Sequence, residues 1–203
     1  MTRPSLTSIA AALPDTVPFI GPETLERRAR QPFLARLGAN ESPFGPAPAA
    51  LAAMTTALSG SWKYADPESH DLRLALARHL GIAAETIVIG EGIDGLLGLA
   101  VRLHAGPEQI VVTSLGGYPT LNYHVAGFGA QVTSVPYREY QEDLMALAAT
   151  ARRENAAIVY LANPDNPMGS WHDAGAVGAF IDAVPPQTLI LLDETYGEFA
   201  PPG

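Results

Sequence analysis

Ala157-Ile158-Val159-Tyr160-Leu161-Ala162 runs straight into Asn163-Pro164-Asp165-Asn166-Pro167-Met168-Gly169. An unbroken apolar run of this length, with β-branched and aromatic members, predicts a buried strand. Asn, Pro and Gly then end it in turn chemistry. The same design recurs downstream. Thr188-Leu189-Ile190-Leu191-Leu192 predicts a second buried strand, and it stops at Asp193-Glu194-Thr195-Tyr196, a carboxylate and a phenol three residues apart. Side chains at strand C-termini are where open α/β sheets hold their ligands.

Working outward, the pattern between about Thr86 and Leu192 alternates strand and helix. Strands are expected at Thr86–Ile89, Ile110–Thr113, Gln131–Pro136, Ile158–Leu161 and Leu189–Leu192. Helices are expected at Ile93–His104, Tyr118–Gly127, Glu142–Glu154 and Asp173–Val184. Such alternation implies parallel strands covered by helices on both faces, a three-layer α/β/α arrangement with a mostly parallel sheet. Upstream, Pro22–Arg30 predicts a short helix with an acid in its first turn and arginines in its last. Ala49–Leu58 and His70–Leu80 predict two more helices, the second amphipathic through Leu72, Leu76 and Leu80. Met1–Ile20 predicts an arm, and Gly38–Pro48 and Tyr64–Ser69 predict loops.

Composition narrows the function classes. Apolar residues make up 47% and charged residues 16%, so a packed core is expected rather than a disordered chain. A net charge of −9 argues against a nucleic-acid backbone as partner and leaves no polybasic membrane patch. With no cysteine there is neither a disulfide nor a thiolate metal site. The first 13 residues are too weakly apolar for a signal peptide, and no apolar run approaches membrane-spanning length. A cytoplasmic protein is the expectation. The five histidines show no metal-ligand spacing, so no metal is expected.

Taken one at a time, the candidate residues admit two readings. Gly90-Glu91-Gly92-Ile93-Asp94-Gly95 is either a plain tight turn or a backbone cradle that offers helix N-terminal amides to an anion. Tyr118 is either a core aromatic or a flat ring for stacking. Asn166 is a natural turn former. A carboxylate at Asp193 after four apolar residues is costly to bury without a cationic partner. The opposite reading is a helix N-cap, which Gly197 and the prolines after Ala200 disfavour.

As a set, these motifs resemble the pyridoxal-phosphate aminotransferases of classes I and II, fold type I. Leu37-Gly38-Ala39-Asn40-Glu41-Ser42-Pro43-Phe44-Gly45-Pro46 and Trp62-Lys63-Tyr64-Ala65-Asp66-Pro67 resemble the entrance loop and the Tyr-containing loop of its histidinol-phosphate subgroup. The resemblance covers roughly Phe33 to Phe199. It implies residue roles. The cofactor phosphate sits on the amides of Ile93 and Asp94, and Tyr118 stacks on the pyridine ring. Asn166 and Tyr196 donate to the cofactor's phenolic oxygen. Asp193 pairs with the pyridinium nitrogen and so keeps the ring an electron sink. Tyr64 reaches the neighbouring subunit's cofactor phosphate, which implies a homodimer, and Asn40 falls in the substrate-binding segment. Where the family usually has Thr, this chain has Met168. The implied activity is amino-acid biosynthetic transfer of an amino group between an amino acid, or a histidinol phosphate-like amine, and a 2-oxo acid. Residues 1–48 would form the arm and entrance segment, and 49–203 a partial large cofactor-binding domain.

The only lysine is Lys63. In the resembled family the Schiff-base lysine lies well downstream of the aspartate, whereas Lys63 matches the interface loop. The expectation is therefore the N-terminal half of a family member, inactive alone, with Thr86–Ile89 and Leu189–Asp193 as unpaired edges of a gapped sheet. Three rivals stand beside this reading. One is a Rossmann-like methyltransferase or nucleotide binder built on Gly90–Gly95, which leaves Asn166 and Asp193 unexplained. Another is a decarboxylase or lyase with the same cofactor. The third is a lysine-free homologue acting as a binding or dimerisation partner.

Overall fold

The computed structural model describes residues 4–15 and 19–201. It divides into two compact units. One joins the N-terminal arm up to Phe19 to everything from Gly90 onward, and the other is Ile20–Ile89.

In the larger unit, α1 (Ser8–Ala11) belongs to the arm and precedes α5 (Gly92–His104). Then β1 (Ile110–Ser114), α6 (Pro119–Gly127), β2 (Gln131–Val135) and α7 (Leu144–Arg153) follow. β3 (Ile158–Ala162), α8 (Ala174–Ala183) and β4 (Leu189–Asp193) complete it. Among the described residues the strands pair in parallel, in the order β2-β1-β3-β4. All five residues of β3 are buried, as the apolar run from Ile158 requires of a strand covered on both faces.

Side chains along β3 alternate between two cores. Ile158, Tyr160 and Ala162 pack with Leu97 and Val101 of α5 and Leu121 and Val125 of α6. Val159 and Leu161 pack with Leu144 and Leu147 of α7 and Phe180 of α8. The helix faces follow from handedness. The crossover from β1 to β2 steps one way along the sheet, and those from β2 to β3 and from β3 to β4 step the other way. Keeping each connection right-handed places α6 on one face and α7 and α8 on the opposite one. The chain reverses direction between β1 and β3, the position at which such sheets open a ligand crevice.

Register sharpens that point. β1–β2 and β3–β4 each pair through five residues, but β1–β3 pairs only at Val111↔Ile158 and Val112↔Val159. The ladder stops two residues short of the end of β1, which is where the crevice opens.

In the smaller unit, α2 (Pro22–Ala29), α3 (Pro48–Ala57) and α4 (His70–Leu80) match the expected helices to within two residues. Arg36 donates to Glu41 at 2.6 and 2.9 Å and to Glu23 at 2.7 Å, fastening the segment that carries Asn40.

One expected strand is absent. Ala84–Thr86 is a 3-10 turn, and the residues after it are extended but unpaired, with Ile87 at φ −101° and ψ 124°. Extended backbone becomes a strand only through ladder hydrogen bonds to a partner, and none of the four strands among the described residues pairs with this segment. Among the described residues β4 has one strand neighbour, β3. No helix among the described residues is long and apolar enough to cross a membrane.

Candidate functional site

The C-terminal ends of β3 and β4 and the start of α5 converge on an open cleft. It is lined by Ile93, Tyr118, Ala162, Pro164, Asn166, Asp193, Thr195 and Tyr196. Five of the residues singled out in the sequence, Ile93, Tyr118, Asn166, Asp193 and Tyr196, therefore share one cavity. Asp94 joins them through Tyr118, whose hydroxyl donates to Asp94 Oδ1 at 2.9 Å. Asn40 and Tyr64 belong to the Ile20–Ile89 unit.

Local chemistry explains each placement. Tyr118 precedes Pro119, and proline keeps the residue before it out of the α region. The helix accordingly starts at Pro119, with Tyr118 at φ −54° and ψ 116° on its shoulder, not inside it as the sequence pattern suggested. Gly92 has φ +69°, a conformation that turns the chain into α5. No side chain caps that helix, so its first-turn amides are open to an outside acceptor. Asn166 and Asn163 each precede a cis proline. The Asn163 side chain ties its loop shut, accepting from the His172 amide at 2.8 Å and donating to the His172 carbonyl at 3.0 Å.

Asp193 ends β4 with both carboxylate oxygens engaged. Tyr160 donates its hydroxyl to Oδ2 at 2.7 Å. Thr195 donates to Oδ1 twice, from its amide at 3.0 Å and its hydroxyl at 2.6 Å. These donors are neutral, so they orient the carboxylate without cancelling its charge. Tyr160 is 1% exposed. Burial, reinforced by the adjacent Asp193 charge, pushes its phenol far above the ordinary range, so it stays a donor. Burial likewise raises Tyr118.

Two more acids lie behind the cleft. Asp165 is buried, accepts from the Tyr137 hydroxyl at 3.0 Å, and leaves Oδ1 without a partner among the described residues. Glu142 is 2% exposed. Its Oε1 accepts from the Ser114 hydroxyl at 2.8 Å and its Oε2 from the Ala162 amide at 3.3 Å. Burial pushes the Glu142 carboxyl up to about 8, and the charges of Asp165 and Asp193 add to the rise. Among the described residues no His, Asp and Glu side chains group to hold a metal ion.

Tyr160, Thr195 and Glu142 were not singled out in the sequence. Tyr160 carried a signal, since a buried phenol in an apolar strand needs a hydrogen-bond partner. Thr195 carried a weaker one, two residues after an Asp, the spacing of an Asx turn. Glu142 lay inside the expected Glu142–Glu154 helix. In the structure Asp143 caps α7 by accepting from Ala146, which leaves Glu142 outside the helix and turned inward.

The buried Glu142 makes stability pH-dependent. A carboxyl protonated in the fold and ionised in the unfolded chain loses stability as pH rises between its two pKa values. From about pH 4.5 to about pH 8, this group is expected to remove up to about 1.4 kcal/mol per pH unit. Glu142→Gln should flatten that fall. Urea unfolding at pH 5 and pH 8 measures it, and equal slopes in both proteins would place the titration elsewhere.

Residues 34–203 match the family described as aminotransferase class I and II. This chain belongs to that family. It is 36% identical over 169 residues to histidinol-phosphate aminotransferase 2 of Ralstonia nicotianae, covering 83% of the chain and 45% of that relative. It is 33% identical over 202 residues to histidinol-phosphate aminotransferase 1 of Thiobacillus denitrificans, covering 95% and 52%. Among solved structures, the histidinol-phosphate aminotransferase of Sinorhizobium meliloti in complex with pyridoxal-5'-phosphate superposes with a TM-score of 0.93 at 56% identity, over 98% of this chain and 53% of that one. The aspartate aminotransferase of Rhizobium meliloti, at 19% identity and a TM-score of 0.76, shares the fold over 98% of this chain and 53% of its own. This family member thus spans about half the length of the curated relatives it matches. Its mostly parallel α/β sheet is the fold type I arrangement expected from the motifs.

Proposed function

We propose that the chain is the cofactor-binding part of a pyridoxal-phosphate aminotransferase of the histidinol-phosphate type. The observation that carries this reading is the convergence of Asp193, Asn166, Tyr196, Tyr118 and the uncapped start of α5 on one cleft. The donor set fits the cofactor group by group. It offers a carboxylate held by neutral donors, an aromatic ring on the cleft wall, an amide and a phenol nearby, and a helix N-terminus open to an anion.

When bound, the protonated pyridine ring of the cofactor would draw electron density from the substrate Cα. Asp193 would hold the proton on the ring nitrogen, with Tyr160 and Thr195 fixing the carboxylate's direction. Asn166 and Tyr196 would donate to the ring's phenolic oxygen, and Tyr118 would cover one ring face and exclude water there. The amides of Ile93 and Asp94 would receive the phosphate. The substrates would be an amino acid or histidinol phosphate-like amine and a 2-oxo acid. A homodimer would bring Tyr64 to the neighbour's cofactor, and Asn40 would meet substrate. Residues 1–48 would serve as arm and entrance segment, and 49–203 as part of the large domain.

The phosphate assignment has a direct test. A valine at Gly92 meets no neighbouring atom but is strained at φ +69°, by about 1–2 kcal/mol, and relieving that strain requires the backbone that leads into α5 to turn. In the full-length protein, Gly92→Val is expected to weaken pyridoxal phosphate binding by about tenfold or more. The same variant should weaken binding of unphosphorylated pyridoxal far less. Equal losses for both ligands would move the phosphate away from α5. Absorbance titration reads both affinities, and a coupled assay with histidinol phosphate and 2-oxoglutarate tests the activity itself.

A further inference from the structure

The β1–β3 ladder ends at Val112 and Val159, so the last residues of the two strands separate inside a closed core. That separation creates a problem of satisfaction. The amide of Ala162 faces away from β4, where the next amide, that of Asn163, donates to the Asp193 carbonyl at 2.8 Å. With β1 diverged, the Ala162 amide has no strand carbonyl to meet, and a buried unpaired amide is costly. Glu142 supplies the acceptor. Its carboxyl enters the split from the residue before the α7 cap and takes the Ala162 amide on one oxygen and the Ser114 hydroxyl on the other.

We propose that Glu142 is a positioning residue: its carboxyl bridges the split ends of β1 and β3 and fixes the spacing of the two loops that carry Tyr118 and Asn166. The argument is one of chain connection. Ser114 closes β1 and leads through Gly116 and Gly117 to Tyr118. Ala162 closes β3, lines the cleft itself, and leads through Asn163 and Pro164 to Asn166. A change in the width of the split moves both walls of the cleft. The chemistry suits the task. Glu142 faces Asp165 and Asp193, with Tyr137 and Tyr160 beyond them, and burial among these groups keeps it protonated at neutral pH. A protonated carboxyl carries one donor and one acceptor. It can accept from the Ala162 amide while exchanging a hydrogen bond with Ser114, whose hydroxyl serves in either sense. Glutamine carries the same pair of functions in nearly the same shape, and leucine carries neither.

The inference rests on the cofactor reading above, and the experiment separates the two. Full-length protein is titrated with pyridoxal phosphate as wild type, Glu142→Gln, Glu142→Leu and Ser114→Ala. Affinity is read from absorbance, and ring orientation from the circular dichroism of the bound cofactor. Glu142→Gln should bind within about threefold of wild type and keep the dichroic band. Glu142→Leu should bind about tenfold or more weakly with a diminished band, and Ser114→Ala should fall between them. A folded Glu142→Leu protein with wild-type affinity and dichroism overturns the proposal. So does a Glu142→Gln protein as impaired as the leucine variant, because the bridge would then not be what matters. If Glu142→Leu does not fold, Ser114→Ala decides: a weakened, altered complex supports the bridge and an unchanged one overturns it. A wild-type protein that binds no cofactor overturns the cofactor reading first, and this inference with it.

Discussion

Given pyridoxal phosphate, an amino donor and a 2-oxo acid, the 203-residue chain is expected to transfer no amino group. On the proposed reading, amino transfer would need a lysine amine held at the cofactor to bind it and to move the substrate Cα proton. The only lysine here is Lys63. It is exposed, lies in the Ile20–Ile89 unit, and holds its amine 5.4 Å above the ring of its neighbour Trp62. No cleft residue replaces it, since the cleft is lined by a carboxylate, an amide and hydroxyls but by no amine. Borohydride reduction in the presence of cofactor, followed by peptide mapping and a turnover assay, measures both halves of the claim. A stoichiometric label on Lys63 together with amino transfer would overturn it.

The same contrast shows how far the sequence could be read. β3 and β4 were plain because strands buried on both faces are uniformly apolar; Asp193 stood out as the first polar residue after its run, and Asn166 stood out as part of the Asn- and Pro-rich turn that begins at Asn163. α5 was plain because glycines precede it and apolar residues recur along it. Thr86–Ile89 failed because strand character belongs to a pair of segments, and one segment's pattern cannot supply the partner's hydrogen bonds. The helix boundaries at Tyr118 and Glu142 failed by only one or two residues, yet those residues matter. Proline geometry moved Tyr118 out of its helix, and the Asp143 cap moved Glu142 out of its own. Tyr160 was hidden for a different reason. An aromatic residue in an apolar strand reads as packing, and its partner lies 33 residues away on the neighbouring strand. The split between β1 and β3 is a fact of register, and no local pattern announces it.

The remaining large effect concerns Asp193. In a full-length enzyme, Asp193→Ala is expected to lower kcat/KM by about a hundredfold or more, and Asn166→Ala by about tenfold. The difference follows from what each group can offer. On the proposed reading Asp193 would bring a full charge to the ring nitrogen, and hydrogen bonds with an ionised partner are roughly twice as strong as neutral ones. Its carboxylate is already aimed, by Tyr160 on one oxygen and Thr195 on the other, so little ordering remains when the ring arrives. Asn166 would offer one neutral hydrogen bond, and Tyr196, which lines the same cleft, would supply a second donor to the same oxygen. Tyr160→Phe should land between wild type and Asp193→Ala, because it frees the carboxylate to turn without removing its charge. Steady-state kinetics on one substrate pair rank the three variants. An Asp193→Ala enzyme that keeps more than about a tenth of wild-type kcat/KM, a loss below ~1.4 kcal/mol, would show that the carboxylate is not the ring's partner. Asp193 would then be only the closing turn of β4, held by Thr195, and the chemical case for the cleft would have to rest on Tyr118 and the start of α5.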